Sequence, residues 1–136
     1  MNVTGSCHCG EISYEAVVDP EKVGICHCSD CQSFSASAFH VVAMVAGATF
    51  RFTRGEPRIY MKTAESGNRR RLAFCATCSS SIYSCEDSDT PQFYNIRTGT
   101  LHQRQEIVPR FECWRGSALG WVEAGSDRKL FDKNPG

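Results

Sequence analysis

The stretches "SCHCG" (residues 6–10) and "FCATC" (residues 74–78) decide how this chain folds, because they supply four cysteines in two complementary spacings. Cys7 and Cys9 are two apart, so on an extended chain both side chains leave the same face. Cys75 and Cys78 are separated by two residues. In such a knuckle the chain turns back, and two thiolates can bind one ion while nearby N–H groups hydrogen-bond to them. Four sulfurs at about 2.3 Å from a tetrahedral zinc make a closed structural site. That ion would tie residue 7 to residue 78. In zinc-finger peptides a structural zinc is worth an apparent ~10–16 kcal/mol, comparable to a domain's whole stability. The competing readings are buried thiols, or a redox pair at Cys75 and Cys78.

A second cluster, "CHCSDC" (26–31), holds three cysteines: Cys26, Cys28 and Cys31. Three sulfurs can occupy three corners of a tetrahedron, and no further cysteine or histidine stands at ligand spacing nearby. His27 lies between two of them and on an extended chain points the opposite way. Three protein ligands with one open corner is the arrangement of a catalytic zinc. The soft partner for that corner is a thiolate brought by a substrate. Zinc with three thiolates carries a charge of −1, and a fourth makes it −2. Such a centre is a poor Lewis acid for splitting water. It favours an electron-rich thiolate that attacks a small electrophile. The alternative is a partly oxidised cluster, one disulfide and one free thiol, acting as a redox sensor.

The remaining composition narrows the class. A chain of 136 residues is expected to form a single domain (1–136), with its core over about 5–121 and a polar, loosely docked tail at 125–136. Lys plus Arg and Asp plus Glu both number 15, which argues against a dedicated nucleic-acid or anionic-membrane binder. No apolar run approaches the ~18 residues of a membrane span, and the polar start "MNVTGSCHCG" does not read as a signal peptide. Nine cysteines, seven of them clustered, read as metal or redox sites of a soluble cytoplasmic protein rather than as a disulfide framework.

Local patterns are short and two-periodic. "EISYEAVVD" (11–19), "AFHVVAMVA" (38–46), "TFRFT" (49–53), "RIYMKT" (58–63), "RRLAFC" (70–75), "SSIYSC" (80–85) and "QFYNIRTG" (92–99) alternate as half-buried strands do. One short helix is expected at "SDCQSF" (29–34), capped by Ser29, with Cys31 in its first turn. The expected fold class is therefore mostly β: short antiparallel sheets and hairpins with at most one or two short helices.

In order and spacing, "GSCHCGEISYE", "CHCSDCQSFSASAF", "FRFTRGEPRIY" and "FCATCSSSIY" resemble the glutathione-dependent formaldehyde-activating enzyme and centromere protein V family. The resemblance runs from about residue 5 to residue 121, where "ECWRGSALGW" looks like the family's C-terminal aromatic segment. It implies a zinc-bound β-tent fold, a structural zinc on Cys7, Cys9, Cys75 and Cys78, and a second zinc, weakly held, on Cys26, Cys28 and Cys31. It also implies a carbon–sulfur lyase that condenses formaldehyde with glutathione to S-hydroxymethylglutathione. The substrate's own thiolate is then the missing fourth ligand. The chain departs from the family at Ser79 and Ala36, where glycine is usual, and at Glu112 and Gly120, where histidine and proline are usual.

Other residues have weaker claims. Arg69, Arg70 and Arg71 can supply counter-charge or line a solvated strand edge. His40 is a candidate proton donor to an alkoxide, or a satisfied strand histidine. Trp114 and Trp121 can wall a pocket or make core or dimer contacts, and Cys85 and Cys113 read as buried thiols. The leading expectation is a zinc-dependent lyase-type enzyme. It binds a small thiol such as glutathione at Cys26, Cys28 and Cys31 and promotes its addition to formaldehyde or a related aldehyde. The alternatives are a non-enzymatic binding module on a zinc scaffold, since fold does not fix function, or the redox sensor.

Overall fold

The computed structural model describes residues 1–135. In chain order the strands are β1 (Asn2–Ser6), β2 (Ser13–Cys26), β3 (His40–Ala46), β4 (Arg51–Arg54), β5 (Arg58–Thr63), β6 (Arg69–Phe74), β7 (Ser81–Glu86), β8 (Phe93–Arg97), β9 (Phe111–Cys113) and β10 (Lys129–Leu130). A single α-helix, α1 (Ser29–Ser35), follows β2. The main sheet runs β10-β9-β2-β3-β8-β7-β6-β5, and β1 and β4 pair with β2 away from that path. The expectation of a mostly β protein with one short helix holds.

The alternating segments sit on strands as expected, because their apolar residues share one face. Tyr14, Ala16 and Val18 of β2 are buried, and so are Tyr83 and Cys85 of β7, while Ile82 is buried on the opposite face of that strand. Phe50 stacks on Tyr14 and Tyr94, with centroids 5.2 and 4.5 Å away, and meets Phe52 and Tyr83 edge-on. Offset and edge-on packing suits the ring quadrupoles.

The structure differs from the sequence reading in several places. First, β2 does not stop near Asp19 but continues through an irregular register between Val18 and Val23 to Cys26. Second, β9 pairs parallel to β2 and β10 pairs parallel to β9, so the sheet is mixed rather than purely antiparallel. These three-residue and two-residue strands are too short to show a period.

Third, the 125–136 tail is not loosely docked over its described residues. Trp114 and Arg115 N–H groups donate to Lys133 and Phe131 carbonyls at 2.9 Å, and the Trp114 indole donates to Asn134 Oδ1 at 2.9 Å. Fourth, the three arginines do not lie on a sheet edge, because β6 is paired on both sides. Arg69 and Arg71 meet Asp87, whereas Arg70 leaves from the other face. Trp121 is 74% exposed, so it makes no core contact.

The cap of α1 falls on Cys28 rather than Ser29: Cys28 Sγ accepts from the Cys31 N–H at 3.3 Å. The helix ends at Ala36, held left-handed at φ 50°, ψ 40° with its N–H turned back to the Gln32 and Ser33 carbonyls. A Cβ in that conformation costs roughly 1–2 kcal/mol, partly offset by the greater unfolded-state entropy of glycine. Ala36→Gly is expected to stabilise the protein by about 1 kcal/mol. Urea unfolding checks this, and a destabilised variant would refute the strain argument.

Candidate metal centres

Cys7 leaves the end of β1, and Gly10, at φ 83°, turns the chain so that Gly10 N–H reaches the Cys7 carbonyl at 3.2 Å. Cys75 and Cys78 form the connection between β6 and β7. There Ser79 N–H donates to the Cys75 carbonyl at 2.8 Å. Ser79 is left-handed at φ 65°. The two loops meet with Cys7 Sγ 3.6 Å from Cys9 Sγ and Cys9 Sγ 3.7 Å from Cys75 Sγ. All four sulfurs lie within 4.8 Å of one another. A zinc–sulfur distance of 2.3 Å in a tetrahedron demands sulfur–sulfur edges of about 3.8 Å. The four residues therefore fit a zinc ion.

Hydrogen bonds prepare two of these sulfurs, Cys7 and Cys78, for ligation, whereas at Cys9 the lowering by the Glu11 backbone is outweighed by burial and the neighbouring thiols, which push it up to about 12. Burial pushes the Cys7 thiol up, but the Ile12 N–H, 3.3 Å from its sulfur, and hydrogen bonds from Cys9 and Cys75 bring it below its ordinary value. Ser80 Oγ, 3.3 Å from Cys78 Sγ, and the N–H groups of Cys9 and Ser80 lower the Cys78 thiol to about 5. A thiolate is what a metal binds.

The three-thiol cluster forms where β2 ends and α1 begins. Cys26 is the last residue of β2, Cys28 caps the helix and Cys31 lies in its first turn. Lys62 holds Asp30 at 2.8 Å, and Phe34 packs on Tyr60 at 5.9 Å, pinning the helix to β5. The three sulfurs lie within 4.8 Å of one another and are half-buried. The set is soft and all-sulfur, which suits zinc on three corners. No fourth cysteine, histidine or carboxylate joins the trio within that span among the described residues.

Strand alternation sorts the neighbours onto two faces. Cys26 stands opposite Cys113 on β9 and opposite His40 on β3, and Val42, two residues on, stands opposite Arg97 on β8. Directly opposed residues share a face, so Cys113, Cys26, His40 and Arg97 are on one side. Hydrogen bonding from Cys113, then from Cys28 and Cys31, pulls the Cys26 thiol far below its usual value. The Cys28, Cys31 and Cys113 thiols are pushed up in turn, chiefly by Cys26. Burial and the nearby Arg97 charge lower His40 to about 4, so the ring is neutral at neutral pH.

On the other face, His27 points away from the cluster as expected. It is fully buried, with Nε2 2.7 Å from Glu112 Oε1. Glu112, 1% exposed, also accepts from Arg115 at 3.3 Å, Arg128 at 3.3 Å and the Gly125 N–H at 2.7 Å. Gln32 Nε2 donates to the His27 carbonyl at 2.8 Å and to the Ser117 carbonyl at 3.0 Å. This network locks the Cys26–Cys28 backbone against the C-terminal segment.

Cys85 is a buried thiol away from both clusters, but Cys113 is not isolated. Cys113 and Arg97 were invisible as site residues in the sequence. Nothing but strand pairing brings them to Cys26.

A mostly β frame joined by a four-thiol cluster, with a three-thiol cluster beside its one helix, defines a protein able to bind metal through sulfur at two places. The family model of the glutathione-dependent formaldehyde-activating enzyme matches residues 2–117, and the chain belongs to this family. An uncharacterized lyase of Schizosaccharomyces pombe is 28% identical over 92 residues, a match covering 67% of this chain and 64% of that protein. A crystal structure of a Rhodobacter sphaeroides protein superposes with a TM-score of 0.59 at 17% identity, covering 94% of this chain and 98% of the other. That likeness concerns the fold.

Proposed function

We propose that the chain is a zinc-dependent, carbon–sulfur lyase-type enzyme. It binds a small thiol such as glutathione at Cys26, Cys28 and Cys31 and promotes its addition to formaldehyde or a related aldehyde. The observation that carries this reading is the trio itself: three sulfurs within 4.8 Å, joined by no fourth ligand atom among the described residues. Cys7, Cys9, Cys75 and Cys78 hold a second, structural zinc.

When bound at the trio, zinc keeps an incoming thiol ionised while leaving its sulfur electron-rich. In the addition, sulfur attacks the carbonyl carbon, a carbon–sulfur bond forms, and the carbonyl π pair moves to oxygen. The thiol's proton ends on that oxygen, giving a hemithioacetal, and nothing is oxidised or reduced. Burial and the Arg97 charge lower His40 to about 4, so a neutral ring rather than an imidazolium shares this face. Cys28 is central because it bridges Cys26 and the helix.

The test is Cys28→Ser. Its fold is expected to persist, because the four-thiol frame is untouched, while calorimetric binding of glutathione by the zinc-loaded protein is lost. Two sulfurs five residues apart hold metal weakly and leave two corners open. Equal glutathione affinity in both proteins would put the binding-module reading ahead. Anaerobic metal analysis gives a second check, with two zinc ions per chain expected.

A further inference from the structure

Arg97 is 8% exposed, yet no carboxylate pairs with it and its side chain donates no hydrogen bond among the described residues. Its Nε is completely buried and without a partner. Arg115 and Arg128, by contrast, pair with the Glu112 carboxylate. A guanidinium withdrawn from water without an anion is strongly unfavourable, so an unpaired buried arginine needs an explanation.

The register supplies one. Arg97 stands opposite Val42, on the face that carries His40 and Cys26. The negative groups acting on its charge are Cys31, Cys26 and Cys28, in that order, while Arg70 is a second cation on the same side. His40 shares this face with its own Nδ1 buried and unpartnered. The trio therefore faces a fixed positive charge that the protein leaves otherwise uncompensated.

We propose that Arg97 is the built-in counter-cation of the three-thiol centre, and that it lets the open corner take a small anionic ligand, a thiolate. This rests on the reading of the trio as a thiol-binding metal site. The charge count gives the reason. A divalent ion with three thiolates carries −1, and Arg97 brings the site to zero. A fourth thiolate then leaves −1 instead of −2. Loading the metal also moves the trio from three thiols to a net −1 centre, and a nearby cation favours that step too. Arg97 is a positioning residue in charge, acting on the ligand through the field it sets. Of the cations that stand out in the sequence, Arg69 and Arg71 do not fill the role, because they are committed to Asp87 on the opposite face.

The experiment uses the full chain, with zinc at the four-thiol cluster, as wild type, Arg97→Lys and Arg97→Met. Cobalt(II) affinity of the trio is measured by competition with a chelator. The cobalt-loaded proteins are then titrated with 2-mercaptoethanol, following the sulfur-to-cobalt charge-transfer band. Arg97→Met is expected to weaken cobalt(II) binding and thiol binding each by at least about tenfold, and Arg97→Lys to restore most of both. A purely structural role would change melting temperature and would not be rescued by charge alone. Equal cobalt and thiol affinities in wild type and Arg97→Met overturn the proposal. Should wild type form no thiol band while cobalt affinity still follows the charge at position 97, the counter-cation role stands and the thiol-binding reading falls. If Arg97→Met does not fold, Arg97→Gln carries the same comparison.

Discussion

Replacing Cys78 or Cys7 by serine is expected to remove the native fold and one zinc ion together. The four-thiol cluster joins the end of β1 to the β6–β7 connection, elements far apart in sequence. A structural zinc contributes on the order of 10 kcal/mol, against a typical domain stability of about 5–15 kcal/mol. Serine keeps the volume but offers a poor ligand, so three thiolates remain for an ion that closes the frame. The variants should accumulate as insoluble protein, or as soluble protein lacking cooperative unfolding, with zinc content reduced by one. Metal analysis together with urea unfolding decides it. A soluble, cooperatively folded Cys78→Ser protein without that zinc would mean the β-sheet holds itself together.

Glu112→Ala is the second large effect. The carboxylate is 1% exposed and gathers His27, Arg115, Arg128 and the Gly125 N–H. Removing one member of a buried charge network strands the others, at a cost of about 3–5 kcal/mol. Because Glu112 fixes His27 between Cys26 and Cys28, the loss should also loosen the trio. Burial raises the Glu112 carboxyl, but the Gly125 N–H, His27 and Arg128 outweigh it, and its value is lowered overall. The sign follows from that. Its stabilisation is complete above about pH 4.5 and is lost as pH falls through the lowered folded value. Glu112→Gln should therefore be less stable at pH 7 and show a shallower loss of stability on acidification. Urea midpoints between pH 3 and 7 test both points. A cost below about 1 kcal/mol at pH 7 would mark the network as surface-like.

Much of this was legible in one dimension. The CxC and CxxC spacings are local, so Cys7 and Cys9, Cys75 and Cys78, and the trio could each be grouped from spacing alone. The strands were legible too, because alternation over five or more residues repeats often enough to be recognised. Ser79 and Ala36 stood out as departures from glycine, and both are left-handed in the fold. His27 was set apart by the same alternation that points it away from Cys26.

What stayed hidden depends on register between strands. Cys113 lies 87 positions after Cys26 and meets it through a parallel pairing of three residues, too short for any period. Arg97 looked like the polar end of an ordinary strand until Val42 was found opposite it, and His40 two residues before Val42. The helix cap moved from Ser29 to Cys28 because a sulfur, not a hydroxyl, accepts the free N–H. Glu112 appeared as a departure from the family's histidine, yet it is the acceptor that His27 requires. The sequence by itself determined which sulfurs cluster, since ligand spacing is written along a few residues of chain. Only the tertiary structure decided which charges surround them, because a residue's electrostatic neighbours are fixed by strand pairing and burial rather than by position in the chain.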